Sequence, residues 1–145
     1  MKKNNKGFSL VELIIVIAIM AVLIGVLAPQ FIKYVEQGRR STDITNAENI
    51  RTAILADIAD GLITTDGSNA TFVDRSAATP PTYSTGTIGA STIATAPDVA
   101  GNLATGGFLV TWDVTNGECS VSLTDGTTTW VLTDATQAQT YKNAD

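Results

Sequence analysis

One feature restricts this chain more than any other: a long apolar run that contains a single acid. From Phe8 to Ala28, 21 residues, only Ser9 and Glu12 are polar. As a helix rising 1.5 Å per residue, such a run spans roughly 32 Å, about the hydrocarbon thickness of a bilayer. Lys2, Lys3 and Lys6 precede it and no acid does. That asymmetry predicts a cytoplasmic N-terminus with the remainder translocated outward. Three readings compete. A secretory signal would be removed, with Val26 and Ala28 as the small residues before the cut, but Pro29 would follow at once and the core is long for such a signal. A plain signal anchor is the second reading, and it leaves Glu12 without a reason.

Glu12 separates these from the third. A carboxylate in a lipid-facing helix costs a few kcal/mol and needs a partner. A cut after Gly7 would give Phe8 a new α-amine one helical turn from Glu12. That charge opposes the carboxylate, within one chain or between staggered neighbours, and pairing across chains would set the register between subunits.

The stretch Lys6-Gly7-Phe8-Ser9-Leu10-Val11-Glu12-Leu13, continued by its apolar run, resembles the leader of type IV pilins and of the related pseudopilins of type II secretion. The likeness extends to about Phe31. It implies a leader, residues 1–7, removed by a prepilin peptidase between Gly7 and Phe8, methylation of the Phe8 amine, and pairing of Glu12 with the amine of a neighbouring subunit. The short leader and the Phe start resemble the type IVa group and the pseudopilins more than the long-leader group. Related pilins also keep a proline at the place of Pro29 and carry the helix onward. Pro29 removes one helical hydrogen bond and crowds the carbonyl near Gly25, which predicts a kink or local melt at Gly25 and Pro29, or the end of the helix there.

Beyond Pro29, Ile32, Val35, Ile44, Ala47, Ile50, Ile54, Ile58 and Leu62 recur at helical spacings, with a gap over Gly38-Arg39-Arg40-Ser41. A helix from Phe8 to Asp60 follows, with 8–28 as the membrane or filament-core half, 29–61 as the amphipathic half, and Gly61 as its stop. So long a helix exceeds what one small globule can cover, so its first half must bury itself in a bilayer or among copies of itself. Arg39 and Arg40 read either as a solvated face or as an intersubunit contact.

The strand signals lie in 107–133. Phe108, Val110, Trp112 and Val114 alternate, as do Cys119, Val121 and Leu123, then Trp130 and Leu132. Asn116-Gly117 and Asp125-Gly126 predict two-residue turns. These would pair Val114 with Cys119, Trp112 with Val121 and Val110 with Leu123, then Val121 with Trp130. The expectation is a three-stranded antiparallel meander whose core face holds Trp112, Cys119, Val121 and Trp130, packed on the helix stripe. Thr111, Asp113, Ser120, Ser122, Thr124 and Thr129 would face water. The fold class is α+β, a pilin fold: one long N-terminal helix against a small antiparallel meander.

Between helix and sheet, residues 62–106 form a Ser/Thr/Gly-rich connector. From Thr64 to Gly106, 32 of 43 residues are Ser, Thr, Ala, Gly, Asn or Pro. Phe72, Val73, Tyr83, Ile88, Ile93 and Val99 could pin it to the sheet edge or add short strands. In position it resembles the variable surface loop of pilins. Asn69-Ala70-Thr71 has the N-glycosylation pattern. Residues 134–145 read as a polar tail, frayed or laid along the sheet.

Composition excludes several chemistries. With no histidine, no Ser–His–Asp or Cys–His set can form. One cysteine forms no intrachain disulfide, unlike the C-terminal loop of many Gram-negative pilins, so Cys119 reads as a buried thiol or as an intermolecular or reactive one. Residues 8–145 hold six bases and fourteen acids, a net −8, and such a body does not attract nucleic acid by its bulk field. Asp113, Glu118, Asp125 and Asp134 could offer oxygens to calcium, as the major pseudopilins do, yet no twelve-residue ligand loop is present. Phe8, Phe31 and Tyr34 read as packing residues rather than an electron path. No cofactor, metal or catalytic residue is expected, and the chain is not read as an enzyme.

The resemblance implies a structural role: a subunit, the major pilin, of a type IV pilus, held in the membrane before assembly and extracellular afterwards. Its partners would be copies of itself, minor pilins, the peptidase, and an assembly platform with its ATPase motor. A major pseudopilin of type II secretion is one alternative. A monomeric membrane-anchored binding domain is another.

Overall fold

A computed structural model of the chain describes residues 7–73, 87–104 and 106–144. The elements run α1 (Leu10–Ala59), β1 (Gly67–Phe72), β2 (Thr87–Ile88), β3 (Leu109–Asp113), β4 (Glu118–Thr124), β5 (Thr129–Val131) and α2 (Ala135–Asn143). The chain divides into two compact units, residues 1–35 and 36–145, and α1 begins in the first and ends in the second. This is an α+β architecture with a long N-terminal helix.

Helix α1 continues through Pro29. Its C-terminus is closed by a Schellman arrangement. Gly61 takes φ +71°, its N–H donates to the Ile58 carbonyl at 3.0 Å, and the Leu62 N–H donates to the Asp57 carbonyl at 2.9 Å. Glycine fits here because a side chain would strain the left-handed turn.

In the second unit the sheet has five strands in the order β2-β1-β3-β4-β5. The β3-β4-β5 meander is present and antiparallel. The connector adds two strands to it, β1 antiparallel to β3 and β2 parallel to β1. The sheet is therefore mixed rather than wholly antiparallel. Asn69 sits exposed at a bulge in β1 with φ +52°, and its N–H donates to Thr111 Oγ1.

Both hairpin registers differ from expectation by two residues. Trp112 pairs with Cys119 and Val110 with Val121. Leu123 pairs with Trp130. The cause is turn chemistry. Asp113 accepts the Asn116 N–H through Oδ1 and the Asn116 amide through Oδ2, at 2.8 and 2.7 Å. Asp125 Oδ1 accepts the N–H groups of Thr127 and Thr128 at 2.7 and 2.6 Å. Each aspartate thus organises a four-residue loop in place of a two-residue turn. A shift of two keeps every side chain on its face, so the core face is preserved.

Val110, Trp112, Cys119, Val121, Leu123, Trp130 and Leu132 are buried and pack with Ala47, Ile50, Ala53 and Ile54 of α1. On the opposite face, Ser122 departs from the reading. It is 9% exposed, because Leu109 and Val131 flank it on neighbouring strands, and its Oγ reaches the Leu109 carbonyl at 3.5 Å. The stripe also ends differently: Leu62 is exposed and Ile63 takes the buried place.

Of the two options for the C-terminal stretch, frayed or laid along the sheet, residues 134–144 are not frayed. Asp134 caps α2 by accepting the Gln137 N–H, and Tyr141 on that helix is fully buried. Its ring lies 5.3 Å from that of Trp130, a tilted aromatic contact. Gln137 Oε1 accepts the Val131 N–H, which covers part of the β5 edge.

Candidate functional site

The N-terminal segment is described from Gly7, so the leader lysines lie outside the described residues. Gly7, Phe8 and Ser9 precede the helix, and Phe8 is 90% exposed. Helix α1 starts at Leu10, and the Leu13 N–H makes its first bond, to the Ser9 carbonyl at 3.2 Å. Glu12 stands in the first turn, where the N-terminal end of the helix dipole favours an acid. Its Oε2 accepts the Ser9 N–H at 2.8 Å.

From Leu10 to Val35 every large apolar side chain of this unit is exposed in the single chain. Phe31 and Tyr34 share this exposure, so if they pack, they pack outside their own chain. Among the described residues α1 is the one helix long and apolar enough to cross a membrane. A Cβ added at Gly25 would meet open space.

In the second unit, the helix face that the reading left polar holds a buried cluster. Arg40 is 4% exposed, so it is neither a solvated residue nor an intersubunit contact, the two roles its sequence position suggests. Its Nη1 donates to the carbonyls of Tyr141, Lys142 and Ala144, and its Nη2 to Asn102 Oδ1. It thereby closes the end of α2, where helix carbonyls run out of main-chain donors; the Tyr141 carbonyl also accepts the Ala144 N–H at 3.4 Å. Arg39 is the exposed member of the pair, 3.9 Å from Glu36.

Glu36, Asp43 and Asp57 fall seven and fourteen residues apart, on one face of α1. Each grips the connector. Glu36 Oε1 accepts the Asn102 N–H at 2.7 Å. Asp43 accepts the N–H groups of Ala100 and Gly101 at 2.7 and 2.9 Å. Asp57 accepts the N–H of Ser91 at 2.7 Å and also its hydroxyl. Asp43 and Asp57 are buried. Composition gave little signal for this, since all but the Ser91 hydroxyl are main-chain groups; the heptad spacing was the available clue. Gly101 is required by close approach, because a Cβ there would lie 2.6 Å from the Tyr141 hydroxyl and 2.8 Å from Asp43 Oδ2.

Cys119 is a free, buried thiol on the core face. Burial pushes it up to about 11 from 9.0, against the pull of the Arg51 charge. Arg51 Nε donates to the Cys119 carbonyl at 3.0 Å. Of the four acids considered for calcium, Asp113 and Glu118 are cross-strand partners, Asp113 and Asp125 organise hairpin loops, and Asp134 caps α2. Among the described residues no group of three or more acids or cysteines could hold a metal ion. Of the connector's apolar residues, Phe72 and Ile88 are buried and Ile93 and Val99 pack against the core. Tyr83 lies outside the described residues.

Comparison with known proteins places this N-terminus in context. Residues 2–28 match the family described as the prokaryotic N-terminal methylation motif. A type IV major fimbrial protein FimA of Dichelobacter nodosus is 38% identical over 61 residues, 42% of this chain and 39% of that protein. The type IV major pilin protein PilA of Myxococcus xanthus is 41% identical over 50 residues, 34% of this chain and 23% of that one. A fimbrial protein of Moraxella nonliquefaciens is 34% identical over 65 residues, 45% and 42% of the two chains. The chain spans about two fifths of the length of the Dichelobacter and Moraxella relatives. No solved structure matches it. The chain therefore carries a prepilin-type methylation motif at its N-terminus and, over the stretch these comparisons cover, is homologous to type IV major fimbrial proteins.

Proposed function

We infer that this chain is a structural subunit of a type IV pilus. It is inserted with its N-terminus cytoplasmic, cut between Gly7 and Phe8, methylated at Phe8, and moved from the membrane into an extracellular helical filament. The observation that carries this reading is the coincidence of the methylation motif with an apolar helix surface that its own chain leaves uncovered. Covering each large apolar side chain removes surface worth roughly 1.5–3 kcal/mol relative to water. In lipid that surface is already dry. Extraction therefore needs a motor, and neighbouring α1 helices replace the lipid. The partners are copies of the chain, minor pilins, a prepilin peptidase and an assembly platform with its ATPase; the role is structural rather than catalytic.

In this reading Gly7 is the small residue the peptidase admits before the cut. Glu12 pairs with the Phe8 ammonium of a neighbour and sets the stagger between subunits. Gly25 and Pro29 form the pliable point of the apolar helix. Trp112, Cys119, Val121 and Trp130 hold the sheet core together. The relatives' names, type IV major fimbrial and pilin proteins, favour a pilus over a secretion pseudopilus.

The test is an intact mass of the natural protein, expected to equal the chain without residues 1–7 plus one methyl group. A protein still beginning at Met1 overturns the reading. In cells, Glu12→Ala is expected to abolish surface fibres while the chain is still inserted and cut; a monomeric anchor would be unaffected.

A further inference from the structure

Glu12 needs a partner in an apolar span, and the Phe8 ammonium does not exist until the chain is cut. The structure supplies an earlier one. The Ser9 N–H donates to Glu12 Oε2 at 2.8 Å, and the Ser9 carbonyl accepts the first helical bond, from Leu13. Ser9 is thus the N-cap of α1 and Glu12 its third residue. A Ser followed three residues later by Glu is the capping-box pattern, in which the carboxylate reaches back to the N-cap N–H. The first N–H groups of a helix otherwise lack partners, and inside a bilayer no water replaces them.

We propose that Glu12 serves twice, first capping α1 in the uncut chain through the Ser9 N–H and afterwards meeting the ammonium of a neighbour. The first role holds the carboxylate near the membrane surface with no second subunit present. It also ends the helix before Gly7 and Phe8, which lie outside α1 and leave the bond between them in non-helical chain. The two roles are compatible because a carboxylate has two oxygens. Oε2 is held by Ser9, and Oε1 faces no bonded donor among the described residues. Ser9 is then a positioning residue: its backbone N–H fixes the acid that the neighbour must find. This inference rests on the pilin reading above for its second role only.

The test uses the full-length uncut chain, produced in a host without prepilin peptidase and held in detergent micelles. Amide exchange is followed by NMR. The Ser9 amide is expected to exchange roughly tenfold more slowly in the wild type and in Glu12→Gln, whose side-chain oxygen can still accept, than in Glu12→Ala. A second pair guards against an Ala variant that does not accumulate. Ser9→Pro deletes the donor and Ser9→Ala keeps it, so the Leu13 amide is expected to exchange faster in the former. Equal Ser9 exchange in wild type and Glu12→Ala, or equal Leu13 exchange in the two Ser9 variants, overturns the cap. Fibre formation separates the two roles. Glu12→Gln with a protected Ser9 amide and no fibres supports both. Fibres from Glu12→Gln would sink the ammonium pairing and leave the cap standing.

Discussion

The hydroxyl of Tyr141 donates to Oδ2 of Asp43 at 2.7 Å, joining α2 to α1 across 98 residues of sequence in a fully buried contact. The same aspartate holds the connector through Ala100 and Gly101. One carboxylate thus fastens two segments whose composition suggested a loop and a tail.

Removing Asp43 should therefore be severe. Asp43→Ala leaves two N–H donors and the Tyr141 hydroxyl without an acceptor, a loss of about 3–5 kcal/mol. Tyr141→Phe removes one donor and should cost about 1–2 kcal/mol. Denaturant unfolding of the detergent-solubilised chain, followed by tryptophan fluorescence, measures both. A smaller loss for the aspartate than for the tyrosine would contradict the shared-acceptor geometry.

Gly101→Ala should destabilise by about 1–3 kcal/mol, because its Cβ enters space held by Tyr141, Asp43 and Arg40. Gly38→Ala, where a Cβ meets nothing, should be neutral or slightly stabilising because alanine favours the helix. The same unfolding curves compare them, and similar midpoints for the two variants would count against the packing described around Gly101.

Acid should loosen both hairpins. Backbone and side-chain donation from Asn116 holds Asp113 below the ordinary 3.8, and backbone donation from Thr128, then Thr127, does the same for Asp125. Groups held low in the folded state add stability that is complete above the unfolded value and lost as pH falls through the folded one. Stability should decline as pH drops below about 3.8, and Asp113→Asn with Asp125→Asn should flatten that decline. Thermal midpoints between neutral and strongly acidic pH provide the check.

Alkali acts through Cys119. Its thiol, pushed up to about 11 from 9.0 by burial, keeps its proton in the folded chain at pH values where the unfolded chain has lost it. Stability should fall as pH rises from 9 through 11, and Cys119→Ala should remove that part of the fall. A thiol reagent at neutral pH should leave the folded protein unmodified and label it on denaturation. Rapid labelling of the folded state would show that the thiol is not shielded.

The meander was legible because alternation fixes which face is buried. Its register was not, since a slip of two residues preserves that alternation and Asp113 and Asp125 decide the loop length. Short strands at Phe72 and Ile88 were among the possibilities the apolar residues of the connector offered, but the extent of Gly67–Phe72 was not legible, because it is rich in small polar residues with Phe72 as its one large apolar side chain. Helix α2 escaped because it buries only Ala138 and Tyr141 and depends on Arg40, a residue distant in sequence, at its end. The N-terminal segment was legible because a lone acid in an apolar span is so unfavourable that few arrangements permit it. Its contact with Ser9 is written in the same four residues, where a Ser stands three positions before a Glu.

The acids at 36, 43 and 57 hold the connector chiefly by its main chain. Ala100 offers only its N–H, whereas Ser91 adds its hydroxyl to Asp57 and Asn102 its Oδ1 to Arg40, and all three residues are exposed. A side chain can therefore change at Ala100 while the main-chain grip of Asp43 stays the same, so anchorage and outer surface are partly separable in this connector.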